Sequence, residues 1–337
     1  MTPKIVIVTQ PSDPHADAVI RELHKRSFPV FRFHPEDFPN SINISCQIRN
    51  GKLSGEILTK YHRLEIDQIH SIWYRRPQKP KLSTNTIAGG LDYIQTQCNS
   101  LINALYFAVD TFWVSDPAKL KVAEVKALQL IRAAQVGFQT PDTLISNDIK
   151  HIQKFCEVIS PHYQIAIKAI NAIPTHTPDG MRLPFTTILP SDIDLSNRHI
   201  SICPTVFQPY LEKGGEVRCI VIGNKLFPVK ITPKLVTDDA TDWRTRHVVD
   251  ENLNLIDNNR YELIELPKVI EKQIHQLMNG FGIVFAAIDM IITPNGEYFF
   301  LELNPNGQWL WLEDELGIPL TKTMADLLID RSAARNL

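Results

Sequence analysis

Residues 284–307 read VFAAIDMIITPNGEYFFLELNPNG, which is two runs of apolar and aromatic residues joined by a polar segment. Pro294-Asn295-Gly296 lies in that segment and is a strong turn signal, because proline and glycine favour the backbone angles that turns require. The stretch therefore predicts a β-hairpin with strands at 284–292 and 298–303.

Three polar side chains interrupt these apolar runs: Asp289, Glu302 and Asn304. Residues two apart on a strand face the same side, so Glu302 and Asn304 point together, and hairpin pairing can bring Asp289 beside them. Two converging carboxylates repel each other unless a cation is present, and an all-oxygen ligand set suits Mg²⁺. The alternative is a solvent-facing polar edge. Because apolar strands seldom carry unpaired acids, we predict a magnesium site.

The rest of the chain alternates strand and helix patterns. A strand, helix, strand sequence over residues 4–34 opens a small α/β unit, and a boundary near residue 115 separates this unit from the remainder of the chain. Later helices are predicted at 91–112, 120–136, 147–159, 268–281 and 319–331. Further strands are predicted at 42–48, 55–60, 69–75, 143–146, 163–169, 185–189, 205–211, 216–222 and 225–232. The fold class is therefore mixed α/β (α+β).

The composition excludes several classes of protein. Hydrophobic residues make up 44% of the 337 residues and charged residues 21%, as in a folded globular chain, and the net charge is −2. A near-neutral balance gives no electrostatic case for a nucleic-acid partner. The N-terminal apolar run is too short for a signal segment or a membrane span, and the five cysteines lack metal-like spacing. We expect a cytoplasmic protein with reduced thiols and no membrane partner.

The late hairpin, with its AIDMI and FLELNPNG segments, resembles the metal-binding end of the ATP-grasp superfamily. More narrowly, the chain is similar to the ATP-grasp ligases that cyclise microviridins and related graspetides. The further segments that carry this likeness occur in the same order and at compatible spacing: SIWYRR at 71–76, KALQL at 126–130, FQ at 207–208, EVR at 216–218 and DWR at 242–244.

The resemblance implies an ATP-grasp fold of three units that binds ATP and Mg²⁺. These are an N-terminal pre-ATP-grasp α/β domain at 1–115, a central subdomain at 116–206 and a C-terminal subdomain at 207–337 with the Mg-ATP site. The loop at 171–184 departs from the family pattern because Gly180 is its single glycine, so a glycine-rich phosphate flap is not apparent.

Several residues match the positions that contact nucleotide in the family. Lys126 and Lys168 resemble its two phosphate-contacting lysines, and ordinary surface lysines are the alternative. The stretch Gln208-Pro209-Tyr210 resembles the linker whose backbone meets the adenine edge. We place Glu216 at the same site. Lys230 falls on a strand that we expect to face the nucleotide cleft, but it has no clear match in the microviridin enzymes.

Other positions match the family's catalytic and peptide-binding residues. Arg218 lies on the same strand face as Glu216 and could neutralise charge on the transferred phosphoryl group, with a surface ion pair as the alternative. Asp242-Trp243-Arg244 resembles the Asp-x-Arg motif that grips acidic residues of the precursor's core, so Asp242 and Arg244 are candidates. Asp192 and Asp194 lie where the family docks the precursor's leader.

The expected reaction activates a side-chain carboxylate of a ribosomally made precursor peptide as an acyl phosphate. A Thr or Ser hydroxyl or a Lys amine then displaces phosphate to give an ester or an amide. An ATP-grasp ligase that adds a free amino acid to a protein or small molecule is one alternative, and a nucleotide-binding regulatory module is another. The lack of a GxxxxGK[ST] motif argues against a P-loop enzyme. Related enzymes suggest a homodimer.

Overall fold

The computed structural model describes residues 4–83, 90–171, 175–177, 180–182, 185–190, 201–234, 242, 247–249 and 255–331. None of the helices in these ranges is long and apolar enough to cross a membrane. The strands are β1 (Lys4–Thr9), β2 (Val30–Phe33), β3 (Asn43–Arg49), β4 (Lys52–Leu58), β5 (Arg63–Glu65), β6 (Ile69–Arg76), β7 (Phe112–Val114), β8 (Leu144–Ser146), β9 (Ile165–Lys168), β10 (Thr175–Thr177), β11 (Gly180–Arg182), β12 (Thr187–Ile188), β13 (Thr205–Pro209), β14 (Gly215–Ile222), β15 (Lys225–Pro233), β16 (His247–Val249), β17 (Leu255–Asp257), β18 (Asn259–Leu263), β19 (Phe285–Ile292) and β20 (Tyr298–Asn304). The helices are α1 (Pro14–Lys25), α2 (Leu91–Ala108), α3 (Pro117–Ala123), α4 (Lys126–Gln135), α5 (Ile149–Ile159), α6 (Lys268–Phe281), α7 (Leu310–Leu316) and α8 (Leu320–Ile329).

The N-terminal unit is a parallel four-stranded sheet in the order β2-β1-β6-β7, with the three-stranded antiparallel sheet β3-β4-β5 beside it. Asp13 caps the N-terminus of helix α1, because its carboxylate accepts hydrogen bonds from the backbone N–H groups of His15 and Ala16. Asp13 thus satisfies helix donors that would otherwise lack partners. This unit confirms the predicted strand, helix, strand opening.

Two of the predicted helices are wrong in extent. The helix predicted at 91–112 ends at Ala108, and strand β7 takes its last predicted residue. The helix predicted at 120–136 is divided into α3 and α4. The side-chain amide of Gln129 donates a hydrogen bond of 2.5 Å to the carbonyl of Ala123, the last residue of α3. This bond satisfies a terminal carbonyl of α3 and lets α4 begin anew at Lys126.

The middle of the chain forms a four-stranded antiparallel sheet in the order β12-β9-β13-β8. Helix α5 packs on it through a small core that includes Ile152, Ile165 and Phe207. Strand β13 crosses the boundary predicted at residues 206 and 207. Strands β10 and β11 pair as an antiparallel hairpin within the segment that was predicted to be a loop.

The C-terminal part is a five-stranded antiparallel sheet in the order β18-β15-β14-β19-β20. Helices α3, α4 and α6 pack on one face of this sheet. The other face shares a core with the N-terminal sheet, through residues such as Ile220, Trp73 and the fully buried Trp309. Trp309 is therefore a core aromatic, and the first and last parts of the chain pack against each other.

Candidate active site

A cleft of about 940 Å³ lies between the middle sheet and the C-terminal sheet, and its far end reaches Arg76 and Gln78 of the N-terminal unit. Most of the residues that the sequence nominated line this cleft. They are Lys126, Lys168, Gln208, Pro209, Tyr210, Glu216, Arg218, Asp242, Asp289, Glu302 and Asn304. Folding thus brings together side chains from α4, β9, β13, β14, β19 and β20.

Asp289, Glu302 and Asn304 meet on the cleft side of the β19–β20 hairpin. Asp289 and Glu302 are direct cross-strand partners. The side-chain nitrogen of Asn304 donates to Asp289 Oδ2 at 3.0 Å and to Glu302 Oε1 at 2.9 Å. The predicted convergence of these three side chains is therefore present in the geometry.

A β-bulge produces this alignment. The register shifts after Asp289, so that Met290 pairs with Phe300 and Leu301 is passed over. Phe300 is fully buried in the core on the α6 side, whereas Glu302, two residues later, lines the cleft. Strict alternation would have placed the Glu302 carboxylate on the same face as Phe300. The extra residue turns Glu302 towards Asp289.

The three side chains fit a magnesium ion. Ligands that are neighbours on an octahedral Mg²⁺ lie about 3 Å apart, given metal to oxygen distances of about 2.1 Å. The amide nitrogen of Asn304 lies 3.0 and 2.9 Å from the two carboxylate oxygens, and a half turn of the amide would put its oxygen there instead. Among the described residues, no group of three or more His, Cys, Asp and Glu side chains forms a metal site. The candidate set is therefore two carboxylates and one amide.

Two cations flank these acids. Arg218 Nη1 donates to both carboxylate oxygens of Asp289, at 2.8 and 3.0 Å. Lys126 Nζ donates to Glu302 Oε2 at 2.6 Å and lies 3.4 Å from Asn304 Oδ1. Because each carboxylate has a cationic partner, the repulsion between two negative charges in one cleft is offset.

Lys168 ends β9 on the opposite wall of the cleft. Burial lowers the pKa of the Lys168 ammonium, while the carboxylates of Glu302, Asp242 and Glu216 raise it and Lys213 lowers it further. Lys168 therefore lies within electrostatic reach of Glu302 and of Lys213 and Glu216, which follow the linker. Sequence reasoning missed Lys213, whose ammonium lies 3.2 Å from Glu216 Oε1.

The linker predicted to meet adenine ends strand β13. The Gln208 side chain is buried and donates to the hydroxyl of Thr143 at 2.9 Å, and the Tyr210 N–H donates to the carbonyl of Gln164 at 2.7 Å. These bonds hold the linker against β9 and β8. They also show that the Gln208 side chain has a structural partner, so any contact with a base at this position would come from the backbone.

One nominated residue that the structure describes, Lys230, does not line the cleft. Lys230 is the cross-strand partner of Val217, whose side chain is buried on the α6 side, so Lys230 lies on the opposite face from Arg218. The expectation that Lys230 faces the cleft is wrong, because the pairing of β14 with β15 sets the opposite face. Arg244, Asp192 and Asp194 lie outside the described residues.

The turn that follows Asn304 is held by side chains from distant parts of the chain. Buried Arg75 donates to the carbonyls of Asn306 and Gly307 at 2.6 and 2.9 Å. The ring nitrogen Nε2 of His15 accepts hydrogen bonds from the backbone N–H groups of Trp309 and Leu310. A Cβ atom at Gly307 would lie only 2.4 Å from the Cβ of Ala287. The turn therefore sits tightly against the sheet beside the acids.

We expect Arg75→Met to destabilise the protein by about 3 kcal/mol, since removing one member of a buried charge network leaves its partners unpaired. Arg75 is only 1% exposed, and its Nε lies 3.6 Å from Asp13 Oδ2. Equilibrium urea unfolding followed by circular dichroism would measure the change. The control is Arg63→Met, which removes an exposed ion pair to Glu56 and should cost under about 1 kcal/mol. Equal losses for the two variants would contradict a special role for Arg75.

The chain resembles solved proteins over nearly its whole length. Residues 4–120 match the family described as the MvdD pre-ATP grasp domain. The macrocyclase MdnC from Microcystis aeruginosa MRC, solved with the precursor peptide MdnA, is 27% identical and has a TM-score of 0.82, covering 97% of this chain and 99% of that one. A RiPP-associated ATP-grasp ligase from Chryseobacterium gregarium, solved with ADP and with a leader and core peptide, is 25% identical and has a TM-score of 0.86, covering 98% of this chain and 97% of that one.

Fold similarity extends to more distant proteins. The ATP-grasp ligase PsnB, solved with a minimal precursor, is 17% identical and has a TM-score of 0.76, covering 98% of this chain and all of that one. No curated protein matches the chain in sequence. The chain therefore has an ATP-grasp fold with an N-terminal pre-ATP-grasp domain, and it resembles the ATP-grasp ligases that make graspetides.

Proposed function

We propose that this protein is an ATP- and Mg²⁺-dependent peptide macrocyclase that joins Asp or Glu side chains of a precursor peptide to Thr or Ser hydroxyls or to Lys amines. The observation that carries the proposal is the convergence of Asp289, Glu302 and Asn304 in a cleft that also contains Lys126, Lys168 and Arg218. The solved relatives that bind precursor peptides support the choice of a peptide as substrate.

In the first step, a carboxylate oxygen of the peptide attacks the γ-phosphorus of ATP, and ADP leaves with the electrons of the broken P–O bond. Lys168 and Lys126 stand on opposite sides of the cleft and offset phosphate charge. Arg218, held by Asp289 and by the carbonyl of Gln308, presents a fixed positive charge to the phosphoryl group. Mg²⁺ bound by Asp289, Glu302 and Asn304 would offset the negative charge that remains on the phosphates.

In the second step, a hydroxyl or amine of the same peptide attacks the acyl phosphate, and inorganic phosphate leaves. Carboxylates are inert towards alcohols at neutral pH, so the acyl phosphate supplies the driving force. The protein's part in this step is to hold the two peptide groups close together. Asp242 is buried, interacts electrostatically with Lys168 and accepts from the Thr186 N–H at 3.4 Å, which supports a role for Asp242 in orienting the reacting groups.

The test uses the purified chain with ATP, MgCl₂ and the short peptide encoded beside its gene, chosen for a core rich in Thr, Ser, Glu and Asp. We expect the peptide to become lighter by one water per ring, with one ADP released for each. Esters, unlike amides, should open in mild alkali, which identifies the linkage. Transfer of free glutamate to a protein would instead support the amino-acid ligase alternative. An absence of substrate-dependent ADP release would support a regulatory module.

We expect Arg244→Ala to abolish the dehydrated peptide while leaving ATP affinity within about twofold of wild type. The reason is that an arginine offers a two-pronged donor that matches a carboxylate, here that of the acceptor peptide. Mass spectrometry follows the peptide, and calorimetry with ADP follows nucleotide binding. Arg244→Lys should rescue poorly, and Arg63→Ala on the N-terminal surface should not affect either readout. Normal dehydration by Arg244→Ala would exclude this role for Arg244.

A further inference from the structure

Gln129 is a buried polar side chain that uses all of its hydrogen-bonding groups on two separate segments. The side chain is 1% exposed. Its Oε1 accepts from the Leu303 N–H at 3.0 Å, and its Nε2 donates to the Leu303 carbonyl at 2.7 Å and to the Ala123 carbonyl at 2.5 Å. A fully satisfied buried amide of this kind fixes the relative position of the segments that it joins.

The first of these segments is the strand that carries two of the candidate metal ligands. Leu303 lies between Glu302 and Asn304, and β20 is an edge strand of its sheet. Gln129 pairs with both backbone groups of Leu303, as a neighbouring strand would. This pairing follows directly after the bulge at Leu301 that turns Glu302 into the cleft. Gln129 thus holds the part of the strand whose irregular register aligns the acids.

The second segment is the junction between α3 and α4. The bond to Ala123 holds the end of α3, and α4 begins three residues later at Lys126. Lys126 and Gln129 are three residues apart and lie on the same side of α4. Lys126 reaches Glu302 at 2.6 Å, while Gln129 holds the next residue of the strand. One side chain therefore sets the distance between Lys126 and the acids.

We propose that Gln129 is a positioning residue that sets the geometry of Glu302, Asn304 and Lys126 for a metal–nucleotide complex. This inference rests on the proposed metal site. Residues that orient metal ligands without touching the ion typically change metal affinity by about 10- to 100-fold when they are replaced. Gln129 would act in this way through the backbone of β20.

The decisive variant is Gln129→Met, which keeps the length of the side chain and removes all three hydrogen bonds. Mn²⁺ serves as the probe, and electron paramagnetic resonance measures its binding to the full chain in the presence of ADP. We expect at least a tenfold weaker Mn²⁺ affinity, together with a rise of similar size in the Mg²⁺ concentration needed for half-maximal ADP release from ATP.

The matched control is Gln139→Met. The backbone carbonyl of Gln139 accepts from Phe300 N at 2.8 Å on the same edge of β20, but the side chain of Gln139 is exposed. This variant should keep both the Mn²⁺ affinity and the Mg²⁺ dependence of the wild type. The comparison separates the effect of losing the Gln129 amide from the effect of any substitution beside this edge of β20.

A second variant covers the case in which Gln129→Met does not fold. In Gln129→Glu, burial favours the protonated acid, which keeps one acceptor and one donor, so the loss of affinity should be smaller than for methionine. A folded variant of either kind with wild-type Mn²⁺ affinity would overturn the role of Gln129. Failure of the wild type itself to bind Mn²⁺ with ADP would overturn the metal site, and the role of Gln129 with it.

Discussion

Glu302→Ala and Asp289→Ala should each lower ATP turnover by at least about 10³-fold, which corresponds to about 4 kcal/mol of lost transition-state stabilisation. Each change removes one of the two carboxylates that the bulged hairpin brings together. It also leaves a cation without its partner, Lys126 in the first case and Arg218 in the second. Substrate-dependent ADP release measures the loss, and circular dichroism checks that the fold remains.

Glu297→Ala is the matched control for these variants. Glu297 is an exposed acid on the same hairpin and lies at its turn, away from the cleft. This variant should turn over ATP at the wild-type rate. If Glu302→Ala or Asp289→Ala also did so, the assignment of these acids to the metal would be wrong, and the mechanism would have to proceed without them.

Lys168→Ala should weaken nucleotide binding by at least about tenfold and lower turnover by at least about 10²-fold. Lys168 lies on the β9 wall of the cleft, and the carboxylates of Glu302, Asp242 and Glu216 all raise the pKa of its ammonium. Removing its charge takes away a phosphate partner and also leaves these acids less well compensated. Calorimetry with ADP and the rate of ADP release from ATP measure the two effects separately.

Lys150→Ala provides the comparison, because Lys150 is an exposed lysine on α5 of the same sheet unit. It should leave both measurements unchanged. If Lys168→Ala kept the wild-type ADP affinity and turnover, Lys168 would have no role in nucleotide binding and would be an ordinary surface lysine. A loss in turnover alone would indicate that Lys168 contacts the transferred phosphoryl group and not the bound diphosphate.

Local patterns were sufficient to predict the elements that define the fold. Helix α6 begins and ends at the predicted residues, Lys268 and Phe281, because its apolar positions recur with helical spacing and Gly282 follows as a left-handed cap. The β19–β20 hairpin was predictable for a similar reason, since a strong turn signal separates two apolar runs. These signals depend on neighbours a few residues apart, which the sequence displays directly.

The order of the motifs, and the family resemblance that they carry, also indicated the ATP-grasp fold, and most of the site residues that the sequence nominated line the cleft. Glu302 and Asn304 point to the same face of β20 because they are two residues apart on the regular part of the strand that follows the bulge. Their meeting with Asp289 also required the bulge at Leu301, which the sequence pattern did not show. The sequence alone was nevertheless enough to propose the metal ligands.

Only the tertiary structure showed which strand faces line the cleft and which distant residues hold the site in place. Lys230 has the strand position that the sequence predicted but faces the α6 side, because its partner Val217 is buried there. The turn after Asn304 is held by Arg75, more than 200 residues earlier in the chain. The amide of Gln129 reaches Leu303, 174 residues later. Strand periodicity shows which residues share a face, but the choice of the face that meets the cleft depends on packing between segments far apart in sequence.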